Sequence, residues 1–134
     1  MGIRDRADSV APGWHMRHDE GVRPHLALLV LRTTDLDGTK GLYESLGLKF
    51  RREQHETGPE HWSTTLDCGT VIELYPTSVQ PQGVQPRLGF VVEDLAATRD
   101  AFRAAGGSVV TDDVAVVVVE DLEGRRIELT GLQL

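Results

Sequence analysis

The hexapeptide Gly69-Thr70-Val71-Ile72-Glu73-Leu74 returns 55 residues later as Gly124-Arg125-Arg126-Ile127-Glu128-Leu129, and no other feature constrains the fold as much. Each copy is a turn glycine followed by a strand in which one carboxylate stands between two apolar neighbours. Successive side chains of a strand point to opposite faces, so Ile72 and Leu74 take one face and Glu73 takes the other with Val71 and Tyr75. Glu128 is set apart from Ile127 and Leu129 in the same way. An acid in so apolar a strand calls for a partner or a task.

A second correspondence, at a spacing of 59, covers the opening of each copy: Leu29, Leu31, Asp35, Leu36, Gly47 and Phe50 fall on Leu88, Phe90, Asp94, Leu95, Gly106 and Val109. Two units make a duplication, not an array that propagates. The drop in spacing from 59 to 55 means that copy two lacks four residues between its second and fourth strands.

Local patterns predict the elements of each copy. Residues 26–32 form an apolar run closed by Arg32, too short for a core helix, which predicts a buried central strand. Thr34 or Asp35 caps a helix that runs to about Leu46 and stops at Gly47. Gly38 and Gly41 lie inside it, each costing up to about 1 kcal/mol relative to alanine, so packing has to hold this helix. Residues 49–56 and 61–66 read as strands about the turn Thr57-Gly58-Pro59-Glu60, and Cys68-Gly69 turns the chain into a strand over 71–75. A two-residue turn there pairs Leu66 with Val71 and sets Trp62, Thr64, Leu66, Val71, Glu73 and Tyr75 on one face; a slip of one brings His61, Ser63 and Thr65 there instead. Copy two repeats the plan with strands over 88–92, 108–111, 115–120 and 125–130 and a helix over 95–105 ended by Gly106-Gly107.

With 40% apolar residues, a chain of 134 residues has enough to bury one core. The expected organisation is a flexible N-terminal tail over 1–24, polar and aperiodic, and a single domain over 25–134. Within the domain, module 1 spans about 26–76, a linker rich in proline and glutamine spans 77–86, and module 2 spans about 87–131. His15 and His18 of the tail amount at most to a weak metal tract. A formal charge of −7 argues against nucleic acid or an anionic membrane as partner, because an acidic surface releases no counter-ions from either. The single cysteine, Cys68, cannot form an intrachain disulfide, and the first thirty residues lack the unbroken apolar segment of a signal peptide. The expected location is the cytoplasm.

Leu31-Arg32-Thr33-Thr34-Asp35-Leu36, Leu42-Tyr43-Glu44-Ser45-Leu46-Gly47-Leu48 and Asp121-Leu122-Glu123-Gly124-Arg125-Arg126-Ile127-Glu128-Leu129 together resemble the vicinal oxygen chelate superfamily, which includes glyoxalase I, extradiol dioxygenases, and fosfomycin- and bleomycin-resistance proteins. The resemblance implies an α+β fold: two tandem βαβββ modules forming a curved, half-open mixed sheet around a cavity. It also implies a homodimer in which modules pair within or across chains. In metal-dependent members it implies ligands at four equivalent points, one early in the first strand and one in the last strand of each copy. The last-strand points are Glu73 and Glu128. The first-strand points are Leu28 and Arg87, of which leucine has no donor atom and arginine stays cationic.

His25 offers a replacement ligand, since His-x-x-Leu opens many members of the superfamily. Counted from Asp35, however, it stands three residues too early, which is an odd shift and the wrong face unless a bulge intervenes. His55 and His61, six apart, bind across two strands, line a pocket mouth, or stand exposed at the hairpin. Arg87 either pairs with Glu73 or Glu128 or anchors a ligand carboxylate.

Two functions of different class follow. The first is a small-molecule-binding protein without the full metal site and without a cofactor. Its site would comprise Glu73, Glu128, Arg87, Trp62, Tyr75, Leu28, Val30 and His61, because aromatic rings beside acids suit a flat or cationic ligand. The alternative is a lyase, isomerase or dioxygenase with one divalent metal ion held by Glu73, Glu128 and a histidine, His25, His55 or His61.

Overall fold

Turn glycines and capping aspartates recur at the predicted intervals and divide the chain in the same way twice. The computed structural model describes residues 23–132, so the reading of residues 1–22, with His15 and His18, lies outside them. Module 1 consists of β1 (Leu28–Thr33), α1 (Leu36–Glu44), β2 (Arg51–Glu53), β3 (His61–Thr65) and β4 (Val71–Pro76). Module 2 consists of β5 (Leu88–Val92), α2 (Leu95–Ala104), β6 (Ser108–Asp112), β7 (Val116–Glu120) and β8 (Arg126–Gly131). Asp35 caps α1 by accepting from the Gly38 N–H at 2.9 Å, and Asp94 caps α2 by accepting from the Ala97 N–H at 3.0 Å. Gly47 and Gly106, both at φ +106°, release the chain from the two helices.

Each module folds into a four-stranded mixed sheet, ordered β1-β4-β3-β2 and β5-β8-β7-β6. The first and last strands of a module run parallel, and the remaining neighbours are antiparallel. The two sheets stay open, and what joins them is packing. Leu31, Ile72 and Leu74 of the first sheet share one core with Leu42 and Tyr43 of α1, Phe102 of α2, and Val117, Val119, Ile127 and Leu129 of the second sheet. Burial of this apolar surface is the largest favourable contribution to folding.

The deficit of four residues in copy two falls in one turn. Seven residues, 54–60, connect β2 to β3, whereas three, 113–115, connect β6 to β7. Module 1 therefore carries a longer hairpin, and His55 stands on it.

Of the two registers open to β3 and β4, the structure adopts the one shifted by a residue. The turn between β3 and β4 has three residues, 67–69, rather than two, closed by the Leu66 N–H on the Thr70 carbonyl at 2.8 Å and the Gly69 N–H on the Leu66 carbonyl at 2.8 Å. Trp62 consequently pairs with Leu74, and Ser63 pairs with Glu73. Because the side-chain period is two, this single step exchanges the faces of β3. Trp62 joins the core side, where it packs against the apolar cluster with Lys40 Nζ 4.4 Å from its ring centre. His61 and Ser63 move to the face of Glu73.

A loop between β7 and β8 fastens the modules to each other. Asp121 accepts from the Tyr43 hydroxyl at 2.8 Å and from Arg125 Nη1 at 3.1 Å, while Arg125 Nη2 donates to the Arg32 carbonyl. Glu123 Oε2 accepts from the Thr33 hydroxyl at 2.8 Å, the Thr34 N–H at 2.8 Å and the Thr34 hydroxyl at 2.9 Å. Burial pushes the Glu123 carboxyl up, but these donors, together with the Arg125 charge, outweigh it and hold the group below the usual carboxylate range. Burial and the neighbouring Asp121 carboxylate push the Tyr43 hydroxyl well above its ordinary value.

Candidate functional site

The parallel pairing of β1 with β4 sets Val30 beside Glu73, and that of β5 with β8 sets Gly89 beside Glu128. Both acids lie on the faces turned away from the shared core, opposite Ile72 and Leu74 in one sheet and Ile127 and Leu129 in the other. Their surroundings differ.

In module 2, Arg87 Nε lies 2.8 Å from Glu128 Oε2, with the arginine 54% and the glutamate 44% exposed. The carboxylate that would be a metal ligand is neutralised by the side chain at the other ligand point. In module 1 the corresponding first-strand residue, Leu28, is 40% exposed and offers no donor. The four residues do not fit the metal site of the superfamily, since one is apolar and one is a cation bonded to a third.

Module 1 assembles a different set. Glu73 and His61 are buried, at 3% and 1% exposure. The β2–β3 register sets Glu53 opposite His61, and the long turn brings His55 alongside, its ring 5.2 Å from that of His61. One ligand-type atom from each of Glu53, His55, His61 and Glu73 lies within 4.8 Å of all the others. Among the described residues, His25 and Glu128 belong to no such group, and His25 is exposed in the segment before β1. Glu53 was not anticipated from the sequence. The signal available was Glu53-Gln54-His55 followed by His61 across a proline-containing turn, a compact run of donor side chains within one hairpin.

The same face continues towards β1. Tyr75 stacks on His61 with ring centres 4.1 Å apart and planes 11° from parallel, and the Arg32 guanidinium lies 5.6 Å from the Tyr75 ring centre. Beside Arg32 and Val30, the segment between β4 and β5 borders a hollow of about 410 Å3, to which Thr77, Val79, Gln85 and Arg125 also contribute. Of the residues anticipated for a ligand site, Leu28, Val30, Tyr75, His61 and Glu73 share this face. Arg87 and Glu128 share the corresponding face of the other module, and Trp62 is on the core side of its sheet.

The architecture is shared with known structures. The glyoxalase I of Leishmania major, described as trypanothione-dependent, superposes with a TM-score of 0.65 at 23% identity, over 81% of this chain and 87% of that one. The fosfomycin resistance protein FosX of Mesorhizobium loti gives 0.66 at 12% identity, over 84% and 95%. TnmS3, an antibiotic-binding protein from Streptomyces sp. CB03234, gives 0.58 at 18% identity, over 84% and 99%. At these identities the likeness is one of fold. No curated protein sequence matches the chain. A family model matches residues 24–129, most of the chain, and by this the chain belongs to the Glyoxalase/Bleomycin resistance protein/Dioxygenase superfamily.

Proposed function

We propose that this protein binds a small, flat organic molecule and does so without the four-point metal site of its superfamily. The observation that carries this reading is the 2.8 Å ion pair between Arg87 and Glu128, which occupies half of that site, while Leu28 leaves a third point without a donor. The binding surface is the far face of module 1. Val30 supplies apolar area, Tyr75 a ring and Arg32 a cation, and the adjoining hollow of about 410 Å3 is of the size that drug-like ligands occupy. A fold that also serves an antibiotic-binding protein is compatible with such a role.

The active form in this proposal is a homodimer in which the far face of module 2, carrying Arg87 and Glu128, closes over the ligand surface of a second copy. Isothermal titration of the chelator-treated full chain with aromatic and glycopeptide antibiotics tests the binding reading. The expected result is saturable binding by at least one class with Kd below about 1 mM, corresponding to roughly −4 kcal/mol or better. Tyr75→Ala and Arg32→Ala are each expected to weaken it several-fold. Absence of saturable binding across the panel would overturn the proposal.

A further inference from the structure

We infer that Glu53, His55, His61 and Glu73 form a binding site for one divalent transition-metal ion of the zinc class, contained entirely in module 1. This site shares only Glu73 with the four points implied by the superfamily, and it takes nothing from module 2. The inference does not depend on the organic ligand proposed above.

The argument starts from His61. Its Nδ1 lies 3.2 Å from the Pro59 carbonyl, which can only accept, so Nδ1 carries the proton and donates. A hydrogen bond from the second ring nitrogen to a backbone carbonyl is the contact that orients metal-ligating imidazoles. The ring is further held by its stack on Tyr75. Nε2 is buried and in hydrogen-bond geometry with no group among the described residues.

That nitrogen faces two carboxylates. Nε2 is 3.3 Å from Glu53 Oε1 and 3.7 Å from Glu73 Oε2, and His55 Nε2 approaches the same Glu53 oxygen at 3.7 Å. Four donor atoms, two imidazole nitrogens and two carboxylate oxygens, converge on one gap, an arrangement that a cation stabilises. Two imidazoles and two carboxylates are a donor set that suits zinc and its first-row neighbours, whereas calcium and magnesium favour all-oxygen sites. Tetrahedral bonds of about 2.0–2.2 Å set ligand atoms roughly 3.3–3.6 Å apart, so the widest separation in a set spread within 4.8 Å must contract by up to about 1.5 Å. His55, 53% exposed on the long turn, has the freedom to make that adjustment.

The duplication supplies an internal comparison. At the spacing of 55, His61 corresponds to Val116 in module 2, and the shorter 113–115 turn has no counterpart of His55. Glu128 there is bonded to Arg87, whose own counterpart is Leu28. The nitrogen donors thus accompany the acid in one module alone, together with the four additional residues that carry one of them.

The alternative occupant of the gap is a proton on Nε2, and metal uptake distinguishes the two. Untagged full-length chain is stripped with chelator, dialysed, and titrated separately with Zn2+ and with Co2+, the latter for its visible absorption. The expected stoichiometry is one ion per chain, with Co2+ bands of a low-coordinate nitrogen–oxygen site. His55→Ala and Glu53→Gln lie outside the core, so both variants stay folded by circular dichroism, and each is expected to weaken uptake at least 10-fold. Glu128→Gln is expected to leave stoichiometry and spectrum unchanged. Failure to take up either ion, or uptake indifferent to both hairpin variants, would leave the proton as the occupant and overturn the inference. Loss of uptake in Glu128→Gln would overturn it as well, by showing a site shared between modules. Antibiotic binding by stripped protein is measured without metal, so either proposal can fail while the other stands.

Discussion

Two glycines in one helix show how differently identical residues can be constrained. A Cβ added at Gly41 would meet nothing within 4 Å, whereas one at Gly38 would lie 2.5 Å from Asp35 Oδ2 and 2.8 Å from Leu122 Cδ1. Gly41→Ala therefore removes backbone entropy from the unfolded chain at no steric cost and is expected to stabilise by about 0.5–1 kcal/mol, raising Tm by a few degrees. Gly38→Ala is expected to do the opposite, because it displaces the carboxylate that caps α1, a contact worth about 1 kcal/mol, and pushes on the loop that joins the modules. Differential scanning calorimetry of the two variants checks this, and equal melting temperatures would contradict it. At the same scale, Tyr43 and Glu123 are buried polar groups kept because each has partners in the other module.

The element most dependent on such partners is the loop from Asp121 to Arg125. Its groups bond to β1 and α1, so the segment that closes the β7–β8 hairpin also fastens module 2 to module 1. Charge on Glu123 matters here. The folded state holds this carboxyl below its ordinary value, so the folded protein binds fewer protons than the unfolded chain in the acid range. The stability it contributes is complete above the unfolded-state value, about pH 4.3, and is lost as pH falls through the lower folded-state value. Urea unfolding measured from pH 7 to pH 3 is expected to show stability declining below about pH 5, with a shallower decline in Glu123→Gln. Identical acid limbs for the two proteins would show that the carboxylate does not contribute in this way.

At the scale of the molecule, two sheets share one core and each has a second face turned away from it. On module 2 that face presents Val91, 67% exposed, beside Arg87 and Glu128. Should the proposed homodimer cover this surface, Val91→Glu would introduce a buried charge and shift the protein to monomer, as read by light scattering at micromolar concentration. A wild-type chain that runs as monomer under those conditions would remove the dimer from the proposal and leave the ligand surface open. The duplication, the order of elements and both helix starts were legible in the sequence because capping aspartates, stop glycines and strand alternation act over a few residues. Glu73 and Glu128 could be singled out for the same reason. The face of β3 could not, since it depends on whether the turn before Val71 closes with two residues or three, and the outcome rests on hydrogen bonds within Leu66–Thr70 and on the core admitting Trp62. Tertiary structure alone decided that Glu53, on a strand not adjacent to β4, would come to His61 and Glu73, and that Arg87 would choose Glu128: distances between charges are set by register and sheet order, which no local pattern encodes.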